Sequence, residues 1–249
     1  MRITRLYYRE KLKCGETIHL DADASTHLIR VLRTKIDSPV VLFNGDGFDY
    51  YAKTLDTNTK RTLISIDSKL ETNNESNITI NLIQGLSRQD RMDATIQKSV
   101  ELGVNTITPI ICQRSNLKFN KDKTDRKLTH WRKVIIGACE QSGRSTLPQL
   151  TEVFTLDTVE LSLDENSLKI ILDPDSQTRL KNIELEQLKK CGNKIEVLIG
   201  PEGGFNEDEL SYLKNKQFIN INFGPRILRT ETAGPAIISA LQLLWGDFG

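Results

Sequence analysis

The chain has 249 residues, 38% of them hydrophobic and 27% charged, with a net charge of +1, a composition that suits one large or two small globular domains. No run of about 18 apolar residues offers a membrane span. Cysteines 14, 112, 139 and 191 form no C-x-x-C pair and share the chain with three histidines, so neither a disulfide framework nor a bound metal is expected.

The opening stretch MRITRLYYREK is charged and aromatic where a signal peptide needs an apolar core, which points to the cytoplasm. Residues 1–70 read as short β segments broken by turn signals. VVLFNGDGFDYYAKTL sets strand-like flanks around Asn44-Gly45-Asp46-Gly47, a hairpin signature, and RTLISID alternates apolar and polar residues as a half-buried strand does. One helix interrupts them at STHLIRVLR, with Leu28, Val31 and Leu32 on one face and His27, Arg30 and Arg33 on another. Residues 71–77, polar and without apolar periodicity, read as a linker.

From residue 78 to 249 strands alternate with helices. ITINLIQGL is a strand, residues 88–103 repeat Met92, Ile96 and Val100 at helical spacing, TITPIIC is a strand, and residues 125–142 are helical. LKIILD, a helix near 180–190, KIEVLIG, a helix from about Asn206, FININFG and a last helix up to Trp245 follow. This order predicts an α/β domain with a mostly parallel sheet covered on both faces. Charge is uneven: residues 84–146 carry twelve lysines and arginines against six acids, which fits a face for a polyanion or a solvated helix face.

Three predicted strands end in proline, at Asp173-Pro174, Gly200-Pro201 and Gly224-Pro225. Proline stops strand pairing, so the chain leaves the sheet abruptly at each carboxyl end, where ligands of open α/β sheets bind. The middle exit, LIGPEGGF, looks like a phosphate cradle. It lacks the lysine of a phosphate loop, however, and Glu202, Glu207, Asp208 and Glu209 crowd it, so an uncharged or cationic ligand fits better than an anion. Asn206 with Glu209 reads as a helix cap, which leaves Glu202 without a structural duty. The third exit, GPRILRTETAGP, gathers Arg226, Arg229, Thr230, Glu231 and Thr232 before the last helix, with Thr232 or Gly234 as its cap and Pro235 in its first turn.

RMDATIQKSVELGV, CEQSGR, LIGPEGGF and GPRILRTETA, in that order, resemble the RsmE family of 16S ribosomal RNA methyltransferases, which methylate uridine at N3, and HLIRVLR is similar to the family's N-terminal region. The resemblance covers essentially the whole chain. It departs at Arg88-Gln89, where the family usually has a lysine-glycine pair. It implies a C-terminal SPOUT domain (residues 78–249) with a trefoil knot, a small N-terminal PUA-like β-barrel (residues 1–70) that grips RNA, a homodimer, and S-adenosylmethionine as cofactor. Carried onto this chain, the cofactor residues are Leu172 and Asp173, then Ile199, Gly200, Pro201 and Gly204, then Phe223, Gly224, Ile227, Leu228 and Arg229.

Methylation of N3 needs its proton removed and the developing charge stabilised. Arg229, with Arg226, is the candidate for the charge, and Glu231 or Glu202 for the base. The RNA contacts expected are Arg2, Arg5, His27, Arg30 and Arg33 from the first domain and Arg88, Lys98, Arg114, Arg132 and Arg144 from the basic middle, with Arg144 foremost. The partner is the 16S ribosomal RNA of the small subunit, and no membrane is involved. The last helix is apolar on more than one face, as a dimer contact would be. The competing reading is a non-catalytic RNA-binding or ribosome-assembly protein that keeps the fold.

Overall fold

Consecutive buried residues in Pro39–Phe43 and alternating ones in Phe48–Thr54 explain where the first sheet forms. The computed structural model describes residues 3–115, 121–159 and 163–249. The chain divides into one unit of Met1–Glu75 with Cys139–Leu147 and a second of Ser76–Ala138 with Pro148–Gly249. The return of Cys139–Leu147 to the first unit is a long-range event that no local pattern announces.

The first unit holds β1 (Thr4–Tyr7), β2 (Thr17–His19), β3 (Pro39–Phe43), β4 (Phe48–Thr54) and β5 (Leu63–Glu71), ordered β1-β3-β4-β5-β2 as a half-barrel whose edges are β1 and β2. β3 and β4 form the hairpin expected, with Gly45 and Gly47 in left-handed conformations, φ 94° and 86°. Leu6, Leu28, Leu42, Tyr50 and Ile64 build its core. The helix expected at STHLIRVLR is instead a short α1 (Ala22–Thr26), capped by Asp21, followed by one π turn over His27–Val31. The wider turn alters the rotation per residue, so Leu28 is fully buried while Val31 and Leu32 are 63% and 43% exposed.

The second unit runs β6 (Thr79–Gly85), α2 (Gln89–Glu101), β7 (Thr106–Ile111), α3 (Lys121–Ser142, its last turn in the first unit), β8 (Gln149–Leu150), β9 (Phe154–Thr155), β10 (Leu168–Leu172), α4 (Leu185–Lys190), β11 (Lys194–Ile199), α5 (Glu207–Asn215), β12 (Ile219–Ile221) and α6 (Thr230–Trp245). The seven strands are all parallel, ordered β12-β10-β11-β6-β7-β8 with β9 also on β7. Central β6 and β11 are buried almost throughout, as strands covered on both faces must be. The helix expected near 180–190 is divided into a 3-10 turn, Leu180–Asn182, and α4. Arg88 and Gln89 start α2 without a left-handed residue, so the missing glycine is not needed there.

The start of α6 corrects the sequence reading. Its N-cap is Arg229 rather than Thr232 or Gly234, and Pro235 lies inside the helix rather than in its first turn. The cause is tertiary: the Thr230 hydroxyl donates to the Gly200 carbonyl (2.9 Å), which draws the helix start back to the second strand exit.

Candidate active site

In a parallel sheet the carboxyl ends share one edge, and here that edge bears a cleft of about 630 Å³. All eleven residues named for the cofactor line it: Leu172 and Asp173 after β10; Ile199, Gly200, Pro201 and Gly204 after β11; Phe223, Gly224, Ile227, Leu228 and Arg229 after β12. The first exit is held by Asp173, whose Oδ2 accepts from Asn220 Nδ2 (2.8 Å) and whose N–H donates to the Ile221 carbonyl (3.0 Å). Asn222 ties the third exit to it by donating from Nδ2 to the Pro174 carbonyl (2.6 Å).

The second exit is fixed from behind. Gln84, fully buried at the end of β6, donates from Nε2 to Thr230 Oγ1 (2.8 Å), and Thr230 donates onward to the Gly200 carbonyl. Gly85 allows this approach, because a Cβ there would sit 2.5 Å from the Pro201 nitrogen. Asn206 and Glu209 form the expected reciprocal cap of α5, and Glu209 also accepts from the Gln113 N–H (2.8 Å). Three of the four acids are thus at a helix start, where its dipole favours them.

Glu202 has a different partner. Arg91 Nη1 lies 2.9 Å from Glu202 Oε1, and Arg91 Nε lies 3.8 Å from Glu231 Oε1. Arg91 and Glu202 line the cleft and Glu231 does not, which separates the two candidate bases. Arg226 and Arg229 also line the cleft, both exposed and without an ion pair among the described residues. Arg91 and Gln84 were not singled out for a role from the sequence, and Thr230 was named only as one of the groups gathered at the third exit. The signal for Arg91 is a cation in the first turn of a helix, which the dipole disfavours unless acids compensate it.

The basic residues divide. His27, Arg30, Arg33, Arg88, Lys98, Arg114 and Arg132 are exposed. Arg114 also braces the cleft loop, donating from Nη1 to the Gly203 and Phe205 carbonyls (both 3.2 Å). Two expected phosphate contacts need correction. Arg144 is 4% exposed and donates through Nε and Nη2 to both oxygens of Glu75 (2.8 and 2.5 Å), and Arg5 is ion-paired with Asp49 while donating to Ser145 Oγ (2.9 Å). Guanidiniums held this way by carboxylates of their own unit are structural cations. Arg2 lies outside the described residues.

The parallel α/β domain with a cleft at its carboxyl edge and the small β unit belong, by their family matches, to the class of RNA methyltransferases. The family description of an RNA methyltransferase domain matches residues 74–242, and that of an RNA methyltransferase PUA domain matches residues 20–66. The chain belongs to the ribosomal RNA small subunit methyltransferase E family. It is 34% identical over 247 residues to the member from Buchnera aphidicola of Acyrthosiphon pisum, covering 99% of this chain and 96% of that one. A Neisseria gonorrhoeae member solved bound to S-adenosylmethionine superposes with a TM-score of 0.91 at 35% identity over the full length of both chains. A Legionella pneumophila protein solved with bound SAM gives 0.94 at 36%, again over both full lengths.

Proposed function

We propose that this chain transfers a methyl group from S-adenosylmethionine to N3 of a uridine in the 16S ribosomal RNA of the small subunit. The observation that carries the reading is the convergence of three strand exits on one cleft, in a chain of this family. The cleft suits this cofactor. Gly204 and Gly224 have left-handed φ of 65° and 102° with open space where a Cβ would stand, so backbone groups can approach a ligand closely. Ile199, Leu228 and Ala233 offer apolar wall for a purine, and among the described residues no lysine lines the cleft to hold a pyrophosphate. When bound, the cofactor supplies the methyl group on a sulfonium leaving group.

The protein must then orient the uridine, accept the N3 proton and hold the resulting charge. Glu202, which lines the cleft, is assigned the proton, and Arg229 with Arg226 the negative charge spread over the uracil carbonyls. Glu231 is not among the residues lining the cleft. Exposed His27, Arg30, Arg33, Arg88, Lys98 and Arg132 are assigned to RNA phosphates. The first domain is assigned to gripping RNA together with the catalytic domain of a second copy, and the C-terminal part of the catalytic domain is assigned a trefoil knot. Leu243 and Leu244 in the last turn of α6 and Phe248 just after it, 61%, 51% and 47% exposed, are assigned to contact with a second copy in a homodimer. Among the described residues no helix is long and apolar enough to cross a membrane, in keeping with a cytoplasmic enzyme.

Single-turnover methylation of small-subunit RNA, with mass mapping of the product, tests the reaction. Binding of S-adenosylmethionine without transfer, or no binding by calorimetry, would favour the non-catalytic alternative. A monomer in equilibrium sedimentation would remove the dimer.

A further inference from the structure

Arg91 joins three segments far apart in sequence. It stands in the first turn of α2, Glu202 in the loop after β11, and Glu231 in the first turn of α6. The guanidinium and the two carboxylates are 27%, 24% and 19% exposed, so water screens the attraction only in part. Among the described residues Arg91 is the ion-pair partner of the Glu202 side chain, and the hydrogen bond closing its turn runs from the Gly204 N–H to the Pro201 carbonyl (2.9 Å) without using that side chain. Removing the cation would leave two acids near one site with no charge between them, and their repulsion would turn the Glu202 side chain away from the cleft wall.

We infer that Arg91 is a positioning residue: by tying Glu202 to the start of α6 it holds that carboxylate against the reacting uridine, and it governs the transfer step rather than cofactor affinity. The inference rests on the methyl-transfer reading of the cleft. A reacting group misplaced by about an ångström costs on the order of a hundredfold in rate, which sets the scale.

The test measures kcat and KM for small-subunit RNA, together with S-adenosylmethionine binding by calorimetry, in wild type, Arg91→Met, Arg91→Lys, Glu202→Gln and the Arg91→Met/Glu202→Gln double variant. Expected for Arg91→Met is a fall in kcat of about tenfold to a hundredfold with cofactor affinity changed less than about threefold. Arg91→Lys should recover part of the rate, and the double variant should be no slower than the slower single one. Unchanged kcat, additive losses in the double variant, or a loss confined to cofactor affinity overturns the inference. Glu202→Gln keeps the test open if Arg91→Met does not fold, because a wild-type kcat in that variant would show that the carboxylate Arg91 holds takes no part in the transfer step. A wild-type chain that moves no methyl group to this RNA overturns the function itself, and the inference with it.

Discussion

Arginines of the cleft and arginines of the first unit differ in one respect: their partners. Arg226 and Arg229 stand exposed at the third strand exit with no carboxylate among the described residues, whereas Arg5 and Arg144 are each bound to an acid of their own unit. Arg144 is gripped by both oxygens of Glu75 and Arg5 is shared between Asp49 and Ser145, so both act as structural ties. A guanidinium without a partner keeps its donors for an incoming anion. Arg91 falls between these, held by two acids yet lining the cleft.

The difference is open to test, starting with the largest expected effect. Arg229→Ala should lower the single-turnover methylation rate by about a hundredfold to a thousandfold while leaving stability within about 0.5 kcal/mol, since it orphans no partner; comparable rates in both proteins would end its assigned role. Arg144→Ala should behave in the opposite sense, losing about 3 kcal/mol in urea unfolding because Glu75 is left half-buried and unpaired, with near wild-type rate per folded molecule.

Glu196 is the contrasting acid. Buried at 4% exposure on β11, it has among the described residues two neutral hydrogen-bond donors, the Asn81 amide and the Asp164 N–H. Burial pushes its carboxyl up from 4.5 to about 7, outweighing those two hydrogen bonds. The folded chain therefore binds a proton more tightly than the unfolded one, so this group's stability is full below about pH 4.5 and lost as pH rises through about 7. The loss amounts to about 3 kcal/mol at most, and Glu196→Gln should flatten that part of the stability curve.

Thr230→Val should cost about 1–2 kcal/mol, leaving Gln84 Nε2 and the Gly200 carbonyl short of a partner, and should weaken cofactor binding in calorimetry. The smallest effect belongs to a single exposed cation: Arg132→Ala should weaken RNA binding severalfold and reduce the slope of log affinity against log salt by about one. An affinity indifferent to salt would remove the phosphate assignment of the whole exposed set.

The fold was legible where the pattern is local. Asn206 and Glu209 announce the cap of α5 because the two groups are three residues apart and bond each other. Asn44–Gly47 announces the hairpin because glycine alone enters its left-handed positions freely. STHLIRVLR misled because helical spacing assumes a constant rotation, and the π turn changes it. Arg144 misled because its partner, Glu75, is 69 residues away, and a sequence does not show which cations are already neutralised.

The sequence by itself determined the order of strands and helices, the three proline exits and hence the edge on which the cleft must lie, since parallel strands bring their carboxyl ends together. Tertiary structure alone decided which side chains face one another there. It set Glu202 on the wall and left Glu231 off it, started α6 at Thr230 through the Gly200 carbonyl, and joined both acids to Arg91. These are contacts between residues more than a hundred positions apart or on separate elements. Distance, burial and charge compensation decide them, and none of these is a property of a short stretch of chain.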